Sequence, residues 1–387
     1  MSAQQAGTVQ RRRRMFQPDH LNLLVHLLKG NREAIHDQLS ERAFDFEGFN
    51  EFLAQHRLQG FVYSLLANSP VRETFARDLV EHLKPFYNRQ RTHNELLIQE
   101  LKLLCSAFSL AGHEFILLKG LYLAERFYGG IDRRAFWDID ILVKKDDLTQ
   151  AAQLLTRSGF KRTSRIFLHH ALTIYFTHAL DFAKSGVAVD LHWALRNRPS
   201  YNFDYQDIWE RKRQFYLDDM TLYVLCDEHS LALELVSIFN DLEVGKIRLK
   251  SFIDLYMMTK AVNDTLDWSQ FLEDRKQENV FKISVMMLDL LLRLFECHSE
   301  FPNLAHALSK GSHLLQVSDA KSVEKLLTLS RVGLIQRMRV ARLYQASRLR
   351  LFLWWIISWP FRHAAYRSGK SFRPKKNVLR LKRNIGL

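Results

Sequence analysis

The chain has 387 residues, 47% of them hydrophobic and 25% charged, a balance that excludes disorder throughout and allows two or three hydrophobic cores. Its formal charge of +14 comes from 56 Lys and Arg against 42 Asp and Glu, which taken whole would point to nucleic acid or an anionic membrane. The distribution changes that reading: residues 331–387 hold 15 basic side chains and no acid, residues 1–14 hold 4 and no acid, and the stretch between has 37 basic against all 42 acidic residues. The body is therefore mildly acidic and the basicity belongs to the two ends. Cys105, Cys226 and Cys297 are odd in number, far apart and without metal-ligand spacing. They support neither a disulfide framework nor a zinc site, and a reducing cytoplasm is the expected setting. Arg11 to Arg14 lead into no apolar run, so no signal peptide is expected.

After a basic N-terminus expected to be disordered (1–18), residues 19–112 carry apolar side chains at helical spacing, as in Leu21, Leu24, Val25, Leu27 and Leu28 and again in Leu96, Leu97, Leu101, Leu104 and Phe108. This predicts a helical module of four or five helices, the last one long, with Gly30 and Gly112 as stops. The period then changes. Phe115 to Leu118 reads as a short buried strand, Leu121 to Tyr128 as a helix ended by Gly129-Gly130, Phe136 to Val143 as a second strand, and Asp146 to Leu155 as a helix closed at Gly159. Leu172 to Leu180 and Val187 to Trp193 read as two more strands joined through Ala183 to Gly186 as a hairpin. The order predicts an α+β fold, a mixed sheet with helices at 113–220, flanked by helical modules at 19–112 and 221–330. Residues 331–387 form a basic, Trp-rich tail.

Asp138 and Asp140 carry the chemistry. They are one residue apart inside an apolar strand, and a side-chain period of two puts both carboxylates on one face while Trp137, Ile139 and Ile141 take the other. Two such carboxylates repel each other and are costly to desolvate unless a cation lies between them. Asp190, in Val187-Ala-Val-Asp-Leu-His-Trp193, joins them if the two strands are neighbours. Three carboxylates around two metals ~4 Å apart suit an attack on a phosphate, and magnesium is the default ion for an oxygen donor set. Solvated edge carboxylates are the plain alternative.

Leu117-Leu-Lys-Gly120, Arg134, Asp138-Ile-Asp-Ile-Leu-Val143, the helix ending near Gly159-Phe160 and Val189-Asp-Leu-His-Trp193 together resemble a bacterial nucleotidyltransferase family of the polymerase-beta-like superfamily. The resemblance implies that Asp138, Asp140 and Asp190 bind two Mg2+ ions, with Asp190 helping to activate an acceptor hydroxyl. It implies transfer of a nucleotidyl group from a nucleoside triphosphate, ATP by default, to a small-molecule or glycan-precursor acceptor, with release of pyrophosphate. Better-known members hold the triphosphate with a Gly-Ser turn close before the carboxylate pair, whereas here Lys119-Gly120 stands 18 positions before Asp138 without a serine. Lys119 and Gly120 are candidates for the phosphate contact, Arg134 for a guanidinium clamp, and His192, on the face of Asp190, for orienting acceptor or phosphate. His169 and His170 are left as surface residues.

The tail places arginines at 331, 337, 339, 342, 348 and 350 before a run from Leu351 to Phe361 that holds Trp354, Trp355 and Trp359. That run is short of the ~20 residues that cross a bilayer. It suits an interfacial helix drawn to anionic lipid, and such a helix would put a cytoplasmic protein on the inner face of the membrane. Nucleic acid is the weaker partner, since the apolar run is of more use in lipid than against phosphates. Two other functions stay open: a non-catalytic nucleotide-binding regulator with this fold, and a glycosyltransferase using Asp-x-Asp with one metal.

Overall fold

A computed structural model describes residues 18–357 apart from 41–43, 68, 70–74, 76, 164–174, 176, 197–199, 247, 313–320, 324–333, 345–348 and 350. The disordered N-terminus expected at 1–18, the early part of the strand expected from Leu172, and His169, His170 and Trp359 fall wholly or mainly outside the described residues.

Five helices come first: α1 (Pro18–Lys29), α2 (Arg32–Ser40), α3 (Phe46–His56), α4 (Gln59–Ala67) and the 34-residue α5 (Arg77–Leu110). Gly30 and Gly112 end α1 and α5 at φ +67° and +72°, a left-handed backbone that glycine adopts without a Cβ clash. The central part follows as β1 (Ile116–Leu117), α6 (Leu121–Tyr128), β2 (Asp138–Leu142), α7 (Leu148–Arg157), β3 (Lys161–Arg162), β4 (Ala179–Lys184), β5 (Val187–His192), α8 (Tyr205–Glu210), β6 (Arg213–Leu217) and β7 (Met220–Val224). These strands form one seven-stranded mixed sheet in the order β3-β4-β5-β2-β1-β7-β6, with β2 parallel to β5 and β1 parallel to β7. The C-terminal module comprises α9 (Asp227–Glu243), α10 (Leu249–Val262), α11 (Trp268–Gln277), α12 (Phe281–Leu294) and α13 (Pro302–Ser312). Asp267 caps α11 by accepting from the N–H groups of Ser269 and Gln270, the role for which a short acceptor side chain is favoured at a helix start.

The architecture is the expected mixed sheet flanked by helical modules, with one extension. The β6–β7 hairpin carries the sheet on to Val224, so the expected division at 220/221 falls inside a strand. Phe215, Leu217, Met220, Leu222 and Val224 alternate with polar or exposed residues, a period of two that marks half-buried strands rather than a helix.

One face of the sheet is apolar. Ile139 and Ile141 of β2, Val187, Val189 and Leu191 of β5 and Leu180 and Phe182 of β4 are buried, and α5 packs on β2, β5 and β7. The other face holds the acidic residues and looks toward α9 and α10. A buried ion cluster ties that side together: Arg134 Nε and Nη2 donate to Asp254 Oδ1 and Oδ2 at 2.6 and 2.9 Å, Tyr128 Oη donates to Oδ1 at 2.5 Å, and Lys250 Nζ reaches Oδ2 at 3.0 Å. Asn94 of α5, fully buried, donates to the Arg134 carbonyl at 2.8 Å. Burial alone would raise the Asp254 carboxyl, but Arg134 and Lys250, with the hydrogen bonds from Arg134 and Tyr128, hold it well below the usual carboxylate range.

Removing one partner of such a cluster leaves a buried charge uncompensated. Asp254→Ala is expected to cost about 3–5 kcal/mol, read as a fall in the urea midpoint at unchanged m-value. A midpoint equal to that of the parent protein would show that the cluster does not brace the fold.

Candidate active site

The parallel pairing of β2 with β5 sets Asp140 directly beside Asp190, Asp138 beside Ala188 and Leu142 beside His192. The antiparallel pairing of β4 with β5 sets Asp181 on the other side of Asp190. Partners in register share a face, so Asp138, Asp140, Asp190 and Asp181 project from the same side of three adjacent strands. A two-residue turn, Ser185 at φ +47° and Gly186 at φ +91°, fixes that register, since this hairpin turn needs two left-handed residues.

His192 Nε2 lies 3.0 Å from Asp140 Oδ1, and His192 is only 5% exposed. Its Nδ1 is buried and has no hydrogen-bond partner among the described residues. Ligand atoms of Asp140, Asp190 and His192 lie within 4.8 Å of one another. Asp138, the other half of the strand pair, is not one of that set. The donor set fits a divalent cation on two counts, a crowd of carboxylates and an orphaned imidazole nitrogen beside it. Its oxygen-rich character suits a hard ion such as Mg2+.

The electrostatics agree with that fit. Burial and the Asp140 charge push Asp138 up to about 7. Burial and the charges of Asp138, Asp140 and Asp181 push Asp190 well above the usual carboxylate range, and burial raises Asp181 as well. Asp140 goes the other way. Burial acts against it, but the hydrogen bond and charge of His192, with Lys119 and Arg196, outweigh burial and lower it. Acids crowded closely enough to push their ionisation apart make a donor set that a cation could bridge.

Cations wall the acids on the helical side. Lys119 Nζ reaches Glu234 Oε2 at 2.8 Å and Ser237 Oγ at 3.0 Å on α9. The same Ser237 hydroxyl accepts from Arg196 Nη2 at 2.9 Å, while Arg196 Nη1 meets His178 Nε2 at 3.1 Å. Arg196 Nε is buried and without a partner among the described residues. Burial and the neighbouring Arg134 lower Lys250 to about 8, and its charge reaches Asp138. Gly120, at φ +65°, starts α6. A Cβ there would stand 3.5 Å from the Asp138 carbonyl, an ordinary contact, so the backbone angle and not space calls for glycine.

Arg134 needs correction as a clamp. Its fork is spent on Asp254, it is 6% exposed, and its Nη1 donates to the Gly120 carbonyl at 3.3 Å. The physical reason is burial, because a guanidinium taken out of water must pair with a carboxylate. Arg134 is a positioning residue that holds the Lys119-Gly120 turn. Asp181, Arg196, Ser237, Glu234 and Lys250 join the site without having been singled out from the sequence. Asp181 was legible there: a turn centred on Ser185-Gly186 pairs 184 with 187 and hence 181 with 190. The others arrive from α9, α10 and the segment after β5, and no local pattern marks them.

A family model described as "Uncharacterised nucleotidyltransferase" matches residues 42–296, a span that contains every residue of this site. No curated protein matches the chain. The family match weighs against the glycosyltransferase alternative.

Because the folded state holds the Asp138 proton up to about pH 7 while an unfolded chain releases it near 4, the metal-free protein is expected to lose stability as pH climbs from 4 through 7. Asp138→Asn lacks that loss. In a chelator its stability advantage should be on the order of 4 kcal/mol at pH 8 and about a third of that at pH 5. Urea melts giving the same difference at both pH values would contradict the crowding of these acids.

Proposed function

The chain belongs to the uncharacterised nucleotidyltransferase family, and from that premise we propose that it transfers a nucleotidyl group from a nucleoside triphosphate, ATP by default, to a hydroxyl of a small-molecule or glycan-precursor acceptor, releasing pyrophosphate. The observation that carries this reading is the register pairing of Asp140 with Asp190 beside Asp138, faced by Lys119 and Arg196. Acids that gather metal and cations that oppose phosphate stand across one space.

Asp140 and Asp190, with Asp138 on the same face, would hold Mg2+, and His192 steadies Asp140 through its Nε2. When bound, the metal supplies charge neutralisation at the phosphates and lowers the pKa of a coordinated hydroxyl. Lys119 and Arg196 would meet the phosphates of the triphosphate, where cationic donors stabilise the charge that builds on the departing pyrophosphate. Ser237 holds both at a fixed separation, which spares their ordering at the moment of reaction. Gly120 lets the backbone approach a phosphate at the start of α6, and Arg134 keeps that turn in place. Asp190, ionised once a metal balances the surrounding acids, would accept the proton of the acceptor hydroxyl as the new phosphoester bond forms and the bond to pyrophosphate breaks. The reaction needs no component that spans a membrane, and among the described residues no helix is long and apolar enough to do so. A cytoplasmic site, where ATP and magnesium are supplied, is the proposed setting.

Calorimetry with ATP and MgCl2, paired with pyrophosphate release over a panel of hydroxyl acceptors, tests this. Asp140→Ala and Asp190→Ala should lose turnover by roughly 10³-fold. Arg196→Ala should raise the KM for ATP about tenfold or more while leaving magnesium-dependent turnover at saturation detectable. Wild-type protein that binds Mg-ATP no better than Asp140→Ala would overturn the proposal, and tight binding without turnover across the panel would make the protein a nucleotide-binding regulator.

A further inference from the structure

The tail begins as part of the body. Val340, Ala341, Leu343 and Tyr344 are fully buried, as is Leu351. Tyr344 packs edge-on to Phe239 of α9 at 5.3 Å between ring centroids and on Trp355 at 6.4 Å. Trp354 and Trp355, which the sequence suggested for a lipid interface, are 6% and 3% exposed and face the core.

The opposite side of the same segment has no such cover. Of the ten large apolar side chains that stand exposed among the described residues, four lie between 349 and 357: Leu349 at 65%, Leu353 at 46%, Ile356 at 51% and Ile357 at 52%. Residues 351–357 are helical, and positions 349, 353, 356 and 357 are spaced i, i+4, i+7 and i+8, one face of a helix. Leu351, Trp354 and Trp355 take the other face. The segment is therefore apolar on both sides, one side anchored and one side turned to solvent, which an ordinary surface helix avoids.

The charge in the surrounding sequence identifies the partner. Five basic residues precede this stripe between 331 and 348, Arg350 falls within it, nine follow it between 358 and 387, and no acid occurs anywhere in 331–387. We propose that Leu349, Leu353, Ile356 and Ile357 form a docking surface for an anionic lipid bilayer, with their side chains entering the interface while the flanking basic residues meet the headgroups. Shallow insertion of an apolar stripe and attraction of nearby Lys and Arg to acidic lipid are the two parts of interfacial binding. Nucleic acid would satisfy the charge and leave four apolar side chains in water. A second copy of the chain would bring two acid-free basic segments together. This proposal is independent of the catalytic reading. Because Tyr344 rests on α9, which also carries Glu234 and Ser237, the docked face would be fixed rigidly to the active site.

Co-sedimentation of the full chain with phosphatidylcholine vesicles, and with vesicles containing 30% phosphatidylglycerol, provides the test. Binding to the acidic vesicles only is expected, weakened at least tenfold by 0.5 M NaCl and at least tenfold by Ile356→Asp/Ile357→Asp, with Tm and Mg-ATP binding of that variant unchanged. Failure of the parent protein to sediment with acidic vesicles would overturn the proposal. So would a double variant that binds them as the parent does, since charge alone would then account for the attraction. A concentration-dependent dimer that the double variant abolishes, or binding of poly(U) lost in the same variant, would assign the stripe to another partner and equally overturn it.

Discussion

Asp140 and Asp190 stand as direct partners on parallel strands, with Asp138 and Asp181 on the same face, and four carboxylates at such spacing in half-buried surroundings repel one another. Much of the rest of the structure answers that repulsion. His192 donates to Asp140, Lys119 and Arg196 approach from the helical side, and Lys250 lends its charge to Asp138. None of these cations forms a close ion pair with Asp138 or Asp190. Asp140, Asp190 and His192 offer ligand atoms within 4.8 Å of one another on that face, an arrangement that a divalent ion could bridge.

The cations near the acids are of two kinds, and burial separates them. Arg134 and Lys250 are committed to Asp254, a carboxylate that contacts no other acid of the site, and so they act on architecture: they join the turn at Gly120, the α5 contact through Asn94 and helix α10. Arg196 is held by the Ser237 hydroxyl and His178, while Lys119 also pairs with the buried Glu234 at 2.8 Å. Arg196 therefore has the smaller commitment of the two, whereas Arg134 could reach a phosphate only by leaving Asp254 unpaired. In place of a serine in the turn before the carboxylate pair, the hydroxyl beside Lys119 is that of Ser237 on the distant helix α9.

The same helix organises the C-terminal end. One side of α9 presents Glu234 and Ser237 to the site, and Phe239 receives Tyr344. The two tryptophans that follow are consumed by packing, leaving leucine and isoleucine on the outer face.

The sequence by itself determined the long helix before Gly112, the strand that holds both Asp138 and Asp140 on one face, the hairpin, and the presence of Asp190 and His192 on a single strand. These follow from local rules, namely the 3.6 and 2.0 side-chain periods and the left-handed glycines, which act within a few residues. The β6–β7 hairpin and Asp181 obey the same rules. What only the tertiary structure decided are the pairings between distant segments: β2 beside β5, Arg134 with Asp254 120 positions away, and Lys119 with Arg196 through Ser237. An isolated arginine pattern reads alike for a phosphate clamp and a buried brace, because the two differ only in whether a carboxylate from another helix arrives first, and the energy that settles it is desolvation, a property of the packed chain.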